Sequence, residues 1–262
     1  MHIEIKDLEV LVNNKKVLNK LNLSINPGEI HVIMGPNGVG KSTLSKVLMG
    51  SEDYKVESGD ILVDNKSIKD LETDERAKLG MFLSFQNPID IEGVTNSEFL
   101  KVAINERREE PIGLYDFIHE MEQSFDELDL KKEMMHRSVN QNFSGGEKKK
   151  NEILQMKLLK PKFVILDELD SGLDVDSLKV VCDNVNSYLS DNPDTSVLMI
   201  THYQRILDYI KPDYIHILIN GHIVKTGDAT LAKEIEEKGY KSFDNCVSLV
   251  SEDWFYEYNT YR

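Results

Sequence analysis

Eight consecutive residues, Gly35-Pro36-Asn37-Gly38-Val39-Gly40-Lys41-Ser42, carry glycine, lysine and serine at the spacing G-x-x-x-x-G-K-[ST]. Glycine lets the backbone curl so that successive N–H groups point inward at one anion. A helix starting directly after such a loop adds its positive N-terminal end. The pattern predicts that Lys41 contacts the β- and γ-phosphates of a nucleotide and that the Ser42 hydroxyl ligates Mg²⁺. The candidate nucleotide-binding residues are therefore Gly35, Pro36, Asn37, Gly38, Val39, Gly40, Lys41, Ser42 and Thr43. A chance glycine-rich turn is the competing explanation. The apolar strand expected over 30–34 and the helix expected from Lys41 supply the context that phosphate binding requires.

A second chemical element is Phe163-Val164-Ile165-Leu166-Asp167-Glu168, four apolar residues followed by two carboxylates. In a parallel sheet, ligands gather beyond the carboxyl ends of the strands. Asp167 is expected to hold Mg²⁺ opposite the Ser42 hydroxyl. Glu168 points elsewhere and is free to take a proton from an attacking water. The alternative, a pair that only caps the next helix, loses ground once the phosphate loop is considered with it. His202 follows another apolar run, Val197-Leu198-Met199-Ile200, and is expected to touch the γ-phosphate or the water. Gln86 follows the run 82–85 and is a candidate for contact with Mg²⁺ or the water. His31 and His216 fall inside strands and are expected to be sheet residues.

Ser144-Gly145-Gly146-Glu147 opens a long helical segment. Ser-x-x-Glu is a capping box, which needs no ligand. A cap does not require two glycines, however, and bare glycine in the first turn lets an anion approach the N–H groups. Two phosphate-binding helix starts in one chain suggest that two surfaces contact one nucleotide. Lys148-Lys149-Lys150 point about 100° apart on a helix, so solvated lysines are expected there.

These residues must be positioned by alternating strands and helices. Strands are expected over 3–10, 18–25, 30–34, 59–63, 82–85, 163–166, 196–200, 214–219 and 222–225, the last two joined at Asn220-Gly221. Helices are expected over 41–49, 144–159, 175–189 and 203–210. Between 95 and 141 no strand-like run appears, while Leu114, Phe117, Ile118 and Met121 recur at helical spacing. A mostly parallel sheet wrapped by helices follows, with a helical insertion. The 262 residues suffice for one large core. Forty-six acidic against 31 basic residues leave a net charge of −15, which disfavours a broad nucleic-acid footprint. Apolar runs of about four residues fall short of the ~20 that a membrane span needs. The opening Met1–Asp7 carries no leader pattern, and Cys182 and Cys246 form neither a metal pair nor a disulfide framework. A soluble, cytoplasmic protein is expected.

Together, Gly35–Ser42, Gln86, Ser144–Glu147, Asp167-Glu168, Ser171-Gly172-Leu173-Asp174 and His202 resemble the motif set of the ATP-binding-cassette ATPases, over nearly the whole chain. The resemblance implies an α/β fold, a P-loop NTPase core of the ATP-binding-cassette type with an antiparallel β subdomain and a helical subdomain. The catalytic core would be 1–94 and 142–262, the helical subdomain 95–141. It implies ATP and Mg²⁺ as ligands, Glu168 as base with His202 and Lys41 in the catalytic set, and Ser42, Gln86 and Asp167 at the metal. It also implies a head-to-tail homodimer. Ser144, Gly145, Gly146 and Glu147 of one copy would then cover the ATP of the other, and Asp174 would couple the two sites.

Three longer segments, Asn142–Met156, Leu166–Asp174 and Thr201–Tyr214, are similar to the ATPases of the SUF iron–sulfur cluster assembly machinery. Transport cassettes usually carry Gln where Glu147 stands and Pro-Thr where Leu169-Asp170 stand. This narrower resemblance implies SufB and SufD scaffold proteins as partners and no integral membrane partner; the helical stretch beside Gln86 is the expected docking region. Two departures stand out. Asn13-Asn14-Lys15-Lys16-Val17 offers no aromatic for adenine, leaving Val17 as the nearest apolar candidate, and Glu147 brings a carboxylate near the predicted γ-phosphate unless it folds back as a cap. The energy subunit of a membrane transporter and a nucleotide-gated scaffold without catalysis remain the alternatives.

Overall fold

The strands fall into two kinds of sheet, and the apolar pattern says why. The computed structural model describes residues 1–243. The chain opens with β1 (Ile3–Val12), β2 (Lys15–Ile25), β3 (Ile30–Met34), α1 (Lys41–Leu48), β4 (Lys55–Val63), β5 (Lys66–Ser67), α2 (Thr73–Leu79), β6 (Met81–Ser84) and β7 (Ile91–Thr95). There follow α3 (Asn96–Asn105), α4 (Leu114–Glu127), a 3₁₀ turn (Lys132–His136), β8 (Ser138–Val139), α5 (Gly145–Leu159), β9 (Phe163–Asp167) and α6 (Val175–Asp191). The last elements are β10 (Ser196–Ile200), α7 (Arg205–Tyr209), β11 (Tyr214–Ile219), β12 (His222–Gly227) and α8 (Thr230–Lys238).

β1, β2, β4 and β5 form an antiparallel sheet in the order β2-β1-β4-β5. Asn13 and Asn14, both at positive φ, make the tight turn between β1 and β2, a geometry Asn tolerates and two-residue hairpins require. The second sheet runs β12-β11-β3-β10-β9-β6 and is parallel except for β12. Its central strands are apolar on both faces, as a sheet covered on both sides must be. Phe163, Ile165, Leu198 and Ile200 pack with α1 and the antiparallel sheet. Val164, Leu166, Val197 and Met199 pack with the helices of the opposite layer. His31 and His216 are buried in this sheet, as expected, and hydrogen-bond each other at 2.9 Å.

Three expectations are corrected. The stretch 95–141 is mostly helical, as expected, but it includes the loop 106–113 and the strand β8, which pairs with β7 and is too short to leave a period-2 signal. Helices α2 and α8 were not expected, because charged residues break up their apolar pattern. α2 is anchored by the buried Arg76 guanidinium, which donates to the carbonyls of Val47, Leu48, Lys69 and Leu71. Lys149 and Lys150 are buried rather than solvated, because α5 packs against α3, α4, α6 and β6 and has little exposed face. Cys182 is buried in α6, which pushes its thiol up to about 12. Cys246 lies outside the described residues. Among the described residues no helix is long and apolar enough to cross a membrane.

Candidate active site

The parallel register sets the site. Ile33 is level with Ile200, Ile200 with Asp167, and Leu166 with Ser84, so four strands end along one edge. The loops bearing Gly35–Gly40, Glu168, His202 and Gln86 emerge there side by side, at the carboxyl ends where ligands collect.

Gly35 and Gly40 fix the phosphate loop. A Cβ on Gly35 would stand 2.2 Å from the Leu218 carbonyl oxygen. Gly40 holds φ +106°, and a Cβ there would meet Leu18 Cδ2 at 2.8 Å. Inside the loop the Lys41 ammonium donates to the Gly35 and Pro36 carbonyls at 2.8 and 2.7 Å. Burial lowers its pKa to about 8, against the pull of the Glu168 and Asp167 carboxylates. Val39 packs against the core behind the loop.

Asp167 stands behind Ser42. Its Oδ2 accepts from Ser45 Oγ at 2.8 Å and its Oδ1 from Ser42 Oγ at 3.4 Å. Burial raises the carboxyl pKa, and the two hydroxyls partly hold it down. Ser45 was missed in the sequence, although it lies three residues after Ser42 on the same helix and so faces the same side. Glu168 adopts φ +48°, a left-handed conformation uncommon for a residue with a long side chain, and its N–H donates to the Ile200 carbonyl. Its Oε2 accepts from Gln86 Nε2 at 2.5 Å, and its Oε1 lies 3.2 Å from His202 Nε2. Burial and the neighbouring Lys41 ammonium lower the His202 pKa, outweighing the opposing pull of Glu168. A carboxylate held this way by an amide and an imidazole is placed to accept a proton.

These groups face a cleft of about 670 Å³, a size suited to a nucleotide. Asn37, Gly38, Gly40, Lys41, Ser42, Thr43, Gln86, Glu168 and His202 line it. So do Val17, the apolar candidate for the base, and three residues not named as site candidates: Val12, Ser171 of the Ser171–Asp174 motif, and Tyr203 beside His202. The donor set fits Mg²⁺: a hydroxyl and a carboxylate oxygen lie within 3.4 Å of each other, with the Gln86 amide on the cleft wall. Hard oxygen ligands of this kind suit Mg²⁺, which takes its remaining ligands from water and phosphate. Among the described residues no group of three or more His, Cys, Asp or Glu is arranged to hold a metal alone.

The structure does not bring Ser144, Gly145, Gly146, Glu147 or Asp174 to this cleft wall. Ser144 caps α5: its Oγ accepts from Glu147 N at 3.2 Å, and Glu147 Oε2 accepts from Ser144 N at 2.8 Å. Within this chain Glu147 folds back as the capping-box partner, and the Ser144 N–H holds its carboxyl below the usual range. Asp174 caps α6 through Ser177 N at 2.7 Å. The two helix starts are neighbours, since a Cβ on Gly146 would lie 3.8 Å from Ser177 Oγ. Among the described residues, added Cβ atoms on Gly145 and Gly146 would meet nothing closer than 3.9 and 3.7 Å, so packing among them does not require either glycine.

The family described as ABC transporter matches residues 18–171. "Probable ATP-dependent transporter ycf16" of Cyanophora paradoxa is 51% identical over 245 residues, covering 91% of this chain and 93% of that protein. "Vegetative protein 296" of Bacillus subtilis is 50% identical over 240 residues, covering 91% of each. A "Probable ABC transporter ATP-binding protein" of Streptococcus pyogenes is 49% identical over 91% of this chain and 93% of its own length. Among solved structures, the dimeric bacterial ABC transporter cassette MJ0796 superposes with a TM-score of 0.74 at 21% identity, over 87% of this chain and 98% of that one. A dimeric post-hydrolysis state of the same cassette, bound to ADP and Pi, gives 0.75 at 20% identity over the same shares. The phosphate loop, the carboxylates at the end of β9 and these matches make the chain a member of the ATP-binding-cassette ATPase family.

Proposed function

We propose that this ATPase is the SufC-type subunit of the SUF machinery. It couples ATP binding and hydrolysis, through head-to-tail dimerisation, to remodelling of a SufB/SufD scaffold in iron–sulfur cluster assembly in the cytoplasm. The observation that carries the dimer is the division of the site. Lys41, Ser42 and Glu168 line one cleft, while the glycine-opened start of α5 lies off that cleft with glycines its own chain does not need. A second copy presenting that start to the γ-phosphate would explain both. The SUF assignment is supported by Asn142–Met156, Leu166–Asp174 and Thr201–Tyr214, and by Glu147 and Leu169-Asp170 where transport cassettes differ.

In this reading Lys41 and the loop N–H groups neutralise the phosphates. Ser42, Asp167 and Gln86 would hold Mg²⁺, which would supply neutralisation of phosphate charge. Glu168 takes the proton of the attacking water, and His202 keeps that carboxylate aligned. ATP favours the closed pair only to the extent that it binds the closed pair more tightly than the open chains. Asp174, at the α6 start beside Gly146, sits where it can connect the two sites.

The names of the relatives favour a second reading, the ATPase subunit of a membrane transporter. Purifying the native complex under mild conditions and identifying its other chains separates the two. Co-purifying SufB- and SufD-like proteins support the proposal, and an integral membrane subunit in their place overturns it.

A further inference from the structure

Helix α5 holds four consecutive polar residues, Lys149, Lys150, Asn151 and Glu152, each no more than 8% exposed. Burying a charged pair is costly, and an apolar pair of similar volume is often no less stable. Burial pushes the Glu152 carboxyl up to about 6 and lowers the Lys149 ammonium.

What this pair grips is the backbone of a single residue, Phe85. Glu152 Oε1 accepts from the Phe85 N–H at 2.7 Å and Oε2 from Ser84 Oγ at 2.8 Å. Lys149 Nζ donates to the Phe85 carbonyl and lies 3.5 Å from Glu152 Oε2. Both backbone groups of Phe85 are thereby taken by two side chains one helical turn apart, while its own ring is 45% exposed and contributes little to holding it. A second grip lies a few residues on. Asn151 Nδ2 donates to Asn140 Oδ1 at 3.0 Å, and Asn140 Nδ2 donates to the Ile89 carbonyl at 2.8 Å. Gln86, whose amide meets Glu168, hangs between the two grips.

We propose that Lys149 and Glu152 are positioning residues that clamp the Phe85 backbone to α5, setting Gln86 against Glu168 and tying it to the Ser144–Gly146 helix start. The inference rests on the proposed function, because it concerns how that catalytic set is held. The helix start offered to a second copy and the amide facing this chain's own Glu168 then move as one body. A shift of Gln86 on nucleotide binding would be passed to α5 without an intervening flexible loop.

The test is a double-mutant cycle on steady-state ATP hydrolysis by the full chain, with native partners present. Glu152→Gln keeps the shape but loses the charge. Its kcat should fall about tenfold with KM for ATP within about twofold, since small misplacements cost rate more than binding. In a Gln86→Ala background the same change should add less than about twofold, because both substitutions act on one element. Ser84→Ala, a milder change that removes one of the carboxylate's bonds, should show the same non-additivity and serves if Glu152→Gln folds poorly. An unchanged kcat, or losses that multiply independently of Gln86, overturns the clamp. Glu168→Gln in the same series keeps the two ideas apart. Normal turnover there defeats the proposed function itself, whereas its loss alongside multiplying Gln86 and Glu152 effects defeats only the clamp.

Discussion

Helices α1 and α5 both have glycines at their starts, for different reasons. At α1, Gly35 and Gly40 are demanded from within: one backs onto the Leu218 carbonyl, the other adopts φ +106° against Leu18. At α5, Gly145 and Gly146 sit in ordinary helix where an added Cβ would make only ordinary contacts, behind a complete capping box. The first start belongs to a cleft that its own chain nearly completes. The second carries a cost in helix propensity that its own chain does not return. A glycine that the fold does not need points outward, to something that must come close.

The sharpest way to probe the first start is Glu168→Gln. Turnover should fall at least about a hundredfold with ATP binding retained, measured by phosphate release and nucleotide titration. Unchanged turnover would remove Glu168 from its proposed role. Lys41→Ala should weaken ATP binding itself by roughly ten- to a hundredfold, the worth of a charged hydrogen-bonding partner.

Glycine substitution sets the two starts directly against each other. Gly40→Ala should destabilise the folded chain by about 1–3 kcal/mol in chemical denaturation, because of its backbone conformation. Gly145→Ala and Gly146→Ala should leave stability unchanged or raise it by up to ~1 kcal/mol each. Both should nevertheless lower turnover while single-chain ATP affinity stays at the parental value. Destabilisation at Gly145 would break the contrast.

The smallest effect concerns Glu147. Its carboxyl is held below its ordinary value of 4.5 in the folded chain, so its contribution to stability is present above that value and lost as pH falls through the lowered one. Denaturation midpoints between pH 6 and 3, with about one linked proton, should fall less steeply for Glu147→Gln than for the parent. If Glu147 only caps, that substitution leaves the ATP dependence of hydrolysis alone; a marked gain in ATP affinity would place its charge near the γ-phosphate.

Much of this was legible in the residues because backbone chemistry leaves signatures at fixed spacing. β3, β10 and β11 were bounded correctly by their apolar runs and turn residues. The phosphate loop is read from its spacing, and Glu168, His202 and Gln86 from strand ends; all meet at one cleft, with Asp167 bonded to Ser42 behind it. The left-handed backbone of Glu168 has no sequence signature, since nothing in Asp-Glu-Leu announces a positive φ. The buried lysines of α5 misled because charge normally marks a solvated face, and only tertiary packing reveals that this helix has almost none. Val12 and Tyr203 reach the cleft through the arrangement of elements distant in sequence.

The account turns on whether the start of α5 completes the cleft of another copy. Sedimentation of the Glu168→Gln chain with and without Mg-ATP, repeated with Gly146→Asp added, tests this most directly. An ATP-dependent doubling of mass that Gly146→Asp abolishes is the predicted result. A mass indifferent to ATP, or a dimer that survives the carboxylate at position 146, would contradict it.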